Sequence, residues 1–230
     1  MEHNGRIHGI LRGMGKRVLP DHTDKEKPKH ETIRKVEKIM DKLNEQKQVF
    51  IALCKAYIKR EGIEELMEWL EITDFYTAPA STKYHGAYPG GLVEHSLNVY
   101  RRLTAKQSDM PAGTKNETIA LTALLHDVCK VNTYKQTGAI YADFEQNAYT
   151  YAYKNEFPIG HGEKSVILLQ RHMQLTEEEI TAISWHMGGF DVRARETREL
   201  SEAWKKYPLA VLLHLADMEA TWLDERWKEQ

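Results

Sequence analysis

The chain has 230 residues, 41% of them hydrophobic, enough to bury a substantial core as one domain or as a domain with a tail. Its 32 basic residues stand against 34 acidic ones, a formal net charge of −2 that excludes the overall basic excess of many nucleic-acid binders but leaves room for a local basic groove. Cys54 and Cys129 form no CxxC pair and no disulfide framework, no run nears the ~18–20 apolar residues of a membrane span, and the N-terminus lacks a signal-peptide core. A soluble, cytoplasmic protein is the expectation, with no membrane partner.

In chain order, residues 1–29 read as a polar tail carrying Arg6, Arg12, Lys16, Arg17, Lys25, Lys27 and Lys29, either solvated or a nucleic-acid-contacting arm. Its "GMGKR" is not a phosphate loop, because the earlier Gly and the Ser/Thr after Lys16 are missing. Residues 30–79 turn helical and are expected to pack on the core: Ile33, Val36, Met40 and Leu43 step along one face, "VFIALCKAYI" continues to Gly62, and "IEELMEWLE" follows. "DFYTAPASTKYHGAYPGG" is by composition a long ordered loop, and loops of that length are often functional. It leads into the helix "GLVEHSLNVYRRL", which carries His95.

Thr114 and Glu117 have capping-box spacing and are expected to open the next helix. In "LTALLHDVCK" the residues Leu121, Leu124, Leu125 and Val128 form an apolar face with His126 and Asp127 set in its middle, where an unpaired charge is costly. The alternation of Tyr149, Tyr151 and Tyr153 predicts a β-hairpin near residues 132–154, with Gly138 near a turn; these tyrosines stabilise the hairpin or, if it overhangs a site, stack on bases. Helix resumes in "GHGEKSVILLQRHM". A second capping box, Thr176 with Glu179, opens "EEEITAISWHM", which is expected to stop at Gly188-Gly189. The last helix, "PLAVLLHLADMEATWLDERW", starts with Pro208 in its first turn. Its Trp222 and Trp227 are interface or packing residues, and the oligomeric state is open.

Seven histidines follow residue 30: His85, His95, His126, His161, His172, His186 and His214. Any one alone is more often a hydrogen-bonded core or surface residue than a ligand. Together with Asp127 they suggest a divalent transition metal (Mn, Fe, Co, Ni or Zn), since imidazole and carboxylate suit those ions. A cation would also compensate a buried Asp127 and keep His126 neutral.

"GGLVEHSLNV", then "LLHDVCK", then "LLHLADMEAT" resemble the H…HD…D signature of the HD superfamily of metal-dependent hydrolases, over roughly residues 80–222. The resemblance implies a mostly all-α HD-domain helical bundle over 80–230 with a small inserted hairpin, and a metal held by His95, His126, Asp127 and Asp217. Two histidines between the HD pair and the last aspartate bind a second ion in binuclear members, with the HD aspartate bridging. That maps onto His161 in "PIGHGEKS", His186 in "ISWHMGG" and Asp127, a set of four histidines and two aspartates without a thiolate. His214 is assigned to helix packing or support, and His172 to the surface. His85 precedes the first ligand, where similar proteins carry a histidine- and glycine-rich loop, and is a substrate-contact or structural residue. Lys130 stands where many members read HDxxK and, with Asp127, is the catalytic candidate; Lys164 and Arg193 are weaker phosphate-contact candidates.

The implied reaction is hydrolysis of a phosphoester through a metal-activated water, two ions clamping the attacking and leaving oxygens. The region "KYHGAYPGGLVEHS" resembles the HD domain of certain 3′–5′ exoribonucleases, but no separate nucleic-acid-binding domain is recognisable before residue 80. Nucleotides, cyclic nucleotides or short single-stranded oligonucleotides are the expected substrates. Two alternatives share the ligand list: an HD-fold di-iron oxygenase, and a non-catalytic HD domain that binds a ligand. Glu94 and Glu163, beside ligands in sequence, are candidates for orienting them.

Overall fold

The computed structural model describes residues 27–139 and 149–225. The tail up to residue 26, the hairpin tip and Trp227 lie outside the described residues. The chain divides into two compact units between Ile39 and Met40, inside helix α1 (Lys27–Tyr57). Residues 27–39 of the first unit are helical, so Lys27 and Lys29 begin a helix rather than end a tail. All that follows concerns the second unit.

Among its described residues this unit is mostly helical, as expected, with a single sheet that is a two-stranded hairpin. After α1 come α2 (Ile63–Glu71), a turn-rich loop, α3 (Gly91–Ala105), α4 (Asn116–Leu125), β1 (Tyr134–Ala139), β2 (Tyr149–Tyr153), α5 (His161–Gln170), α6 (Glu177–Ser184), α7 (Glu199–Lys206) and α8 (Pro208–Glu219). The strands pair antiparallel, Tyr134 opposite Tyr153, with an irregularity at Gln136–Gly138. Among the described residues no helix is long and apolar enough to cross a membrane.

Among the described residues two apolar clusters form the core. One gathers Phe50, Cys54, Leu66, Phe75, Leu92, Leu121, Leu124 and Leu169; the other gathers Val99, Leu103, Ile119, Ala123, Leu209 and Leu213. Helices α3 and α4 contribute to both. Every residue of α4 from Thr118 to Leu125 is buried, so the single apolar face read from the sequence is a helix enclosed all round.

Local signals failed where tertiary contacts outbid them. The Thr114–Glu117 box does not form: Lys115 is the N-cap, and the Glu117 carboxylate instead accepts from the backbone N–H groups of Lys59 (2.7 Å) and Arg60 (3.1 Å). The Thr176–Glu179 box does form. Helix α6 ends at Ser184, short of the glycines. Helix α8 gives way at Ala220 to a π-helical turn (Ala220–Glu225). Helix α4 ends at Leu125, so the His126–Asp127 pair sits at a helix C-terminus, not within a helix.

Candidate metal centre

Helix ends aim two of the imidazoles. The last carbonyls of a helix lack intrahelical partners. At the end of α4 the His126 Nδ1–H donates to the Ala123 carbonyl (2.9 Å), and at the end of α6 the His186 Nδ1–H donates to the Ile183 carbonyl (2.7 Å). With Nδ1 so used, both rings turn Nε2 toward Asp127, at 3.4 Å for His126 and 3.5 Å for His186. His161 opens α5 and places its Nε2 2.8 Å from Asp127 Oδ1. Gly162 permits that approach: a Cβ there would lie 2.4–2.6 Å from backbone atoms of Ile183 and Ser184. His95, on α3, directs Nε2 to Asp217 Oδ1 on α8 (3.2 Å) and to Asp127 Oδ2 (3.5 Å).

Asp127 is therefore the hub. Its Oδ1 faces His161 and His186, while its Oδ2 faces His95, His126 and the Lys130 ammonium at 2.6 Å. Burial alone would raise this carboxyl, but Lys130 and His126 outweigh it and hold it well below the ordinary value. Burial likewise opposes charge on His95, yet Glu225 and Asp217 push its imidazole up to about 10. His126 is lowered by burial.

The donor chemistry fits divalent metal. Overlapping triplets (His95, His126, Asp217; His126, Asp127, His186; Asp127, Cys129, His161) each bring one ligand atom per residue within 4.8 Å of the others. His186 Nε2 is buried without a hydrogen-bond partner, and His95 Nε2 lies 3.3 Å from His126 Nε2, two nitrogens that cannot both keep lone pairs there without a proton or cation between them.

All six expected ligand positions come together, and the sequence reading missed two neighbours. Glu225, in the π-helical turn, accepts from His95 Nδ1 (3.0 Å), His85 Nδ1 (2.6 Å) and Asn98 Nδ2 (3.1 Å). The expected orienting carboxylates do not take that place: Glu94 binds Lys42 and Tyr88, and Glu163 pairs with Arg193. Cys129 Sγ sits 3.4 Å from His161 Nδ1, so a thiol does border the set, with burial and the Asp127 charge pushing it up to about 12.

A cavity of about 320 Å³ opens over this cluster, lined among others by His85, Asp127, Lys130, His161, His214 and Asp217. A larger groove of about 680 Å³, along residues 60–65 and 170–174, contains none of them. Lys164 and Arg193 do not reach the cavity. Lys164 ties α5 to the hairpin base through Thr133 Oγ1 (3.2 Å) and Asn155 Oδ1 (3.0 Å), and Arg193 is bound by Asp191, Glu163 and the Ser184 carbonyl over the Trp185 ring. Tyr151 and Tyr153 are not among the lining residues; Tyr134, against which Tyr153 packs, is. The side chain of Tyr149 lies outside the described residues. His214 donates from Nδ1 to the His186 carbonyl (2.7 Å) and packs over Gly188, whose φ of 53° and 2.6 Å clearance leave no room for a Cβ. His172 packs against the Trp69 ring at a tilt.

The family model described as HD domain matches residues 92–221. Among curated proteins the chain is similar to a dihydroneopterin 2′,3′-cyclic phosphate phosphodiesterase of Methanocaldococcus jannaschii, 35% identical over 95 residues. The aligned stretch covers 36% of this chain and 38% of that relative, so the chain spans well under half of the relative's length. No solved structure matches.

Proposed function

The chain belongs to the HD domain family, and we propose that it is a metal-dependent phosphodiesterase acting on a small, nucleotide-like molecule, with a cyclic phosphodiester as the favoured substrate. One observation carries the reading: a single buried carboxylate, Asp127, presents one oxygen to His161 and His186 and the other to His95 and His126, at the base of a cavity. That division suits two ions sharing Asp127, the first also held by His95, His126 and Asp217, the second by His161 and His186. When bound, the ions would supply charge compensation and an activated water for phosphoryl displacement.

The protein's own groups do the rest. Backbone carbonyls and Glu225 occupy the Nδ1 atoms of His126, His186 and His95, which leaves each Nε2 to face the centre. Lys130 holds its ammonium beside the Asp127 carboxylate at the cavity wall, where it would also offset the charge of a phosphate. His85, fixed by Glu225, lines the same space and is assigned to substrate contact. The volume of about 320 Å³ lies at the small end of the ~300–1,000 Å³ of small-molecule sites, which favours one nucleoside-sized compound over a polymer. The relative's name, a 2′,3′-cyclic phosphate phosphodiesterase, supports the same bond type.

The test is elemental analysis of protein purified without chelator, run beside hydrolysis of bis-p-nitrophenyl phosphate and of nucleoside 2′,3′-cyclic phosphates. Two equivalents of metal with hydrolysis is the expected result. Two irons with oxygen uptake and no hydrolysis would replace this reading with an oxygenase. Metal-free protein without hydrolysis would replace it with a ligand-binding role.

A further inference from the structure

The cavity has two chemically different ends. Its buried base is the Asp127 cluster. Its mouth is built by exposed aromatic side chains from three separate segments: Tyr84 (58% exposed) in the loop before α3, Phe190 (63%) in the turn after α6, and Trp222 (44%) in the π-helical turn after α8. Met187 and Met218, both half-buried, line the same cavity. Singly exposed aromatics are ordinary on a protein surface; several converging on one opening mark a binding surface. Among the described residues the exposed aromatics are Tyr57, Tyr84, Tyr153, Phe190 and Trp222, so three of five rim this one cavity.

We infer that the mouth is a binding subsite for a planar heteroaromatic ring, stacked by Phe190 and Trp222 while its phosphodiester reaches the Asp127 cluster. The inference rests on the phosphodiesterase reading for what the base of the cavity does, but not for what the mouth binds. Aromatic faces are flat and, like thioethers, polarizable; they reward a π-face and give an aliphatic chain no comparable stacking. The Lys83 ammonium lies 5.3 Å over the Tyr84 ring. The charged residues that line the cavity, Asp127, Lys130 and Asp217, are buried or half-buried while the rings are exposed, so a molecule with a ring at one end and a phosphodiester at the other matches both. A pterin and a purine nucleoside share that chemistry.

The test compares three cyclic phosphodiesters: those of neopterin and guanosine, which carry a ring, and glycerol 1,2-cyclic phosphate, which has none. In the Phe190→Leu/Trp222→Leu double variant the ratio of kcat/KM for ringed over ringless substrate should fall about tenfold or more, chiefly through KM, and Phe190→Tyr/Trp222→Phe should restore it. An unchanged ratio overturns the inference. Calorimetry with neopterin and guanosine, which lack phosphate, keeps the two readings separate. Binding to the wild type that weakens about tenfold in the double variant supports the subsite even if none of the three diesters is cleaved. Failure of both compounds to bind the wild type overturns it even if all three are. The tighter of the two identifies the ring system.

Discussion

Two buried carboxylates, Glu179 and Asp127, sit in the same small helical unit and meet opposite fates. Glu179 accepts from Arg60 Nη1 (2.7 Å) and Nη2 (2.8 Å), Thr118 Oγ1 (2.9 Å) and the Thr176 N–H (2.9 Å). The guanidinium and the Thr176 N–H can only donate and the Thr118 hydroxyl donates here, so the network is closed and ties α6 to α4 and to the segment after α1. Asp127 is ringed instead by imidazole nitrogens and a lysine, and those nitrogens crowd one another and leave His186 Nε2, 3.5 Å from Asp127, with no hydrogen-bond partner. Burial of a charge is thus compatible with either role. What separates them is whether the surrounding atoms can all be satisfied by protein alone.

The largest expected contrast follows from removing each hub. Asp127→Ala should lose both ions and about 10³-fold or more in phosphodiesterase rate, read by metal analysis and bis-p-nitrophenyl phosphate turnover. Two ions retained per chain would refute the sharing of Asp127.

At the other hub, Arg60→Met should strand Glu179 and cost about 3–5 kcal/mol of stability in urea unfolding, with metal per folded chain unchanged. Burial alone would raise the Glu179 carboxyl, but Arg60, Thr176 and Thr118 hold it below the ordinary value. A depressed folded-state value gives stability that is complete above the unfolded value of ~4.3 and lost as pH falls through the folded one. The wild type should therefore lose stability on acidification below pH ~4.3, and the Met variant should lose less over the same range.

A smaller effect sharpens the metal side. Glu225 and Asp217 favour the charged imidazole of His95, so ion uptake would displace a proton there and affinity should rise with pH. Glu225→Gln should weaken affinity by about 10–100-fold and flatten that rise, as followed by chelator competition at pH 7, 8 and 9. Equal pH slopes in the two proteins would show that Glu225 does not act through His95. Smallest of all, Thr176→Ala should cost about 1 kcal/mol through its lost cap and leave metal content and rate alone.

How much of this could be read in advance depended on distance along the chain. The histidines and aspartates were legible because their residue types are scarce in apolar helices and their order is that of the family. The Thr176 cap was legible because both partners lie within one turn. Glu225 was not: it meets His95 across 130 residues and belongs to no local pattern. The Thr114–Glu117 spacing misled for the complementary reason, since Glu117 found better donors 57 and 58 residues away. For Lys164 and Arg193 the sequence showed positive charge but not the Asn155, Asp191 and Glu163 groups that already engage it.

The π-helical turn at Ala220–Glu225 carries both Trp222 and Glu225. A π turn amounts to one extra residue wound into an α-helix, and removing one residue upstream of Glu225 would rotate it by about 100° around the axis. Insertions and deletions are therefore a harsher test of this segment than substitutions. A point change at either position alters only that side chain's own contacts, whereas a one-residue change of length between them would separate the cavity wall at Trp222 from the carboxylate behind His95 in one step. Among homologous chains, the length of this turn should be held more tightly than its residues.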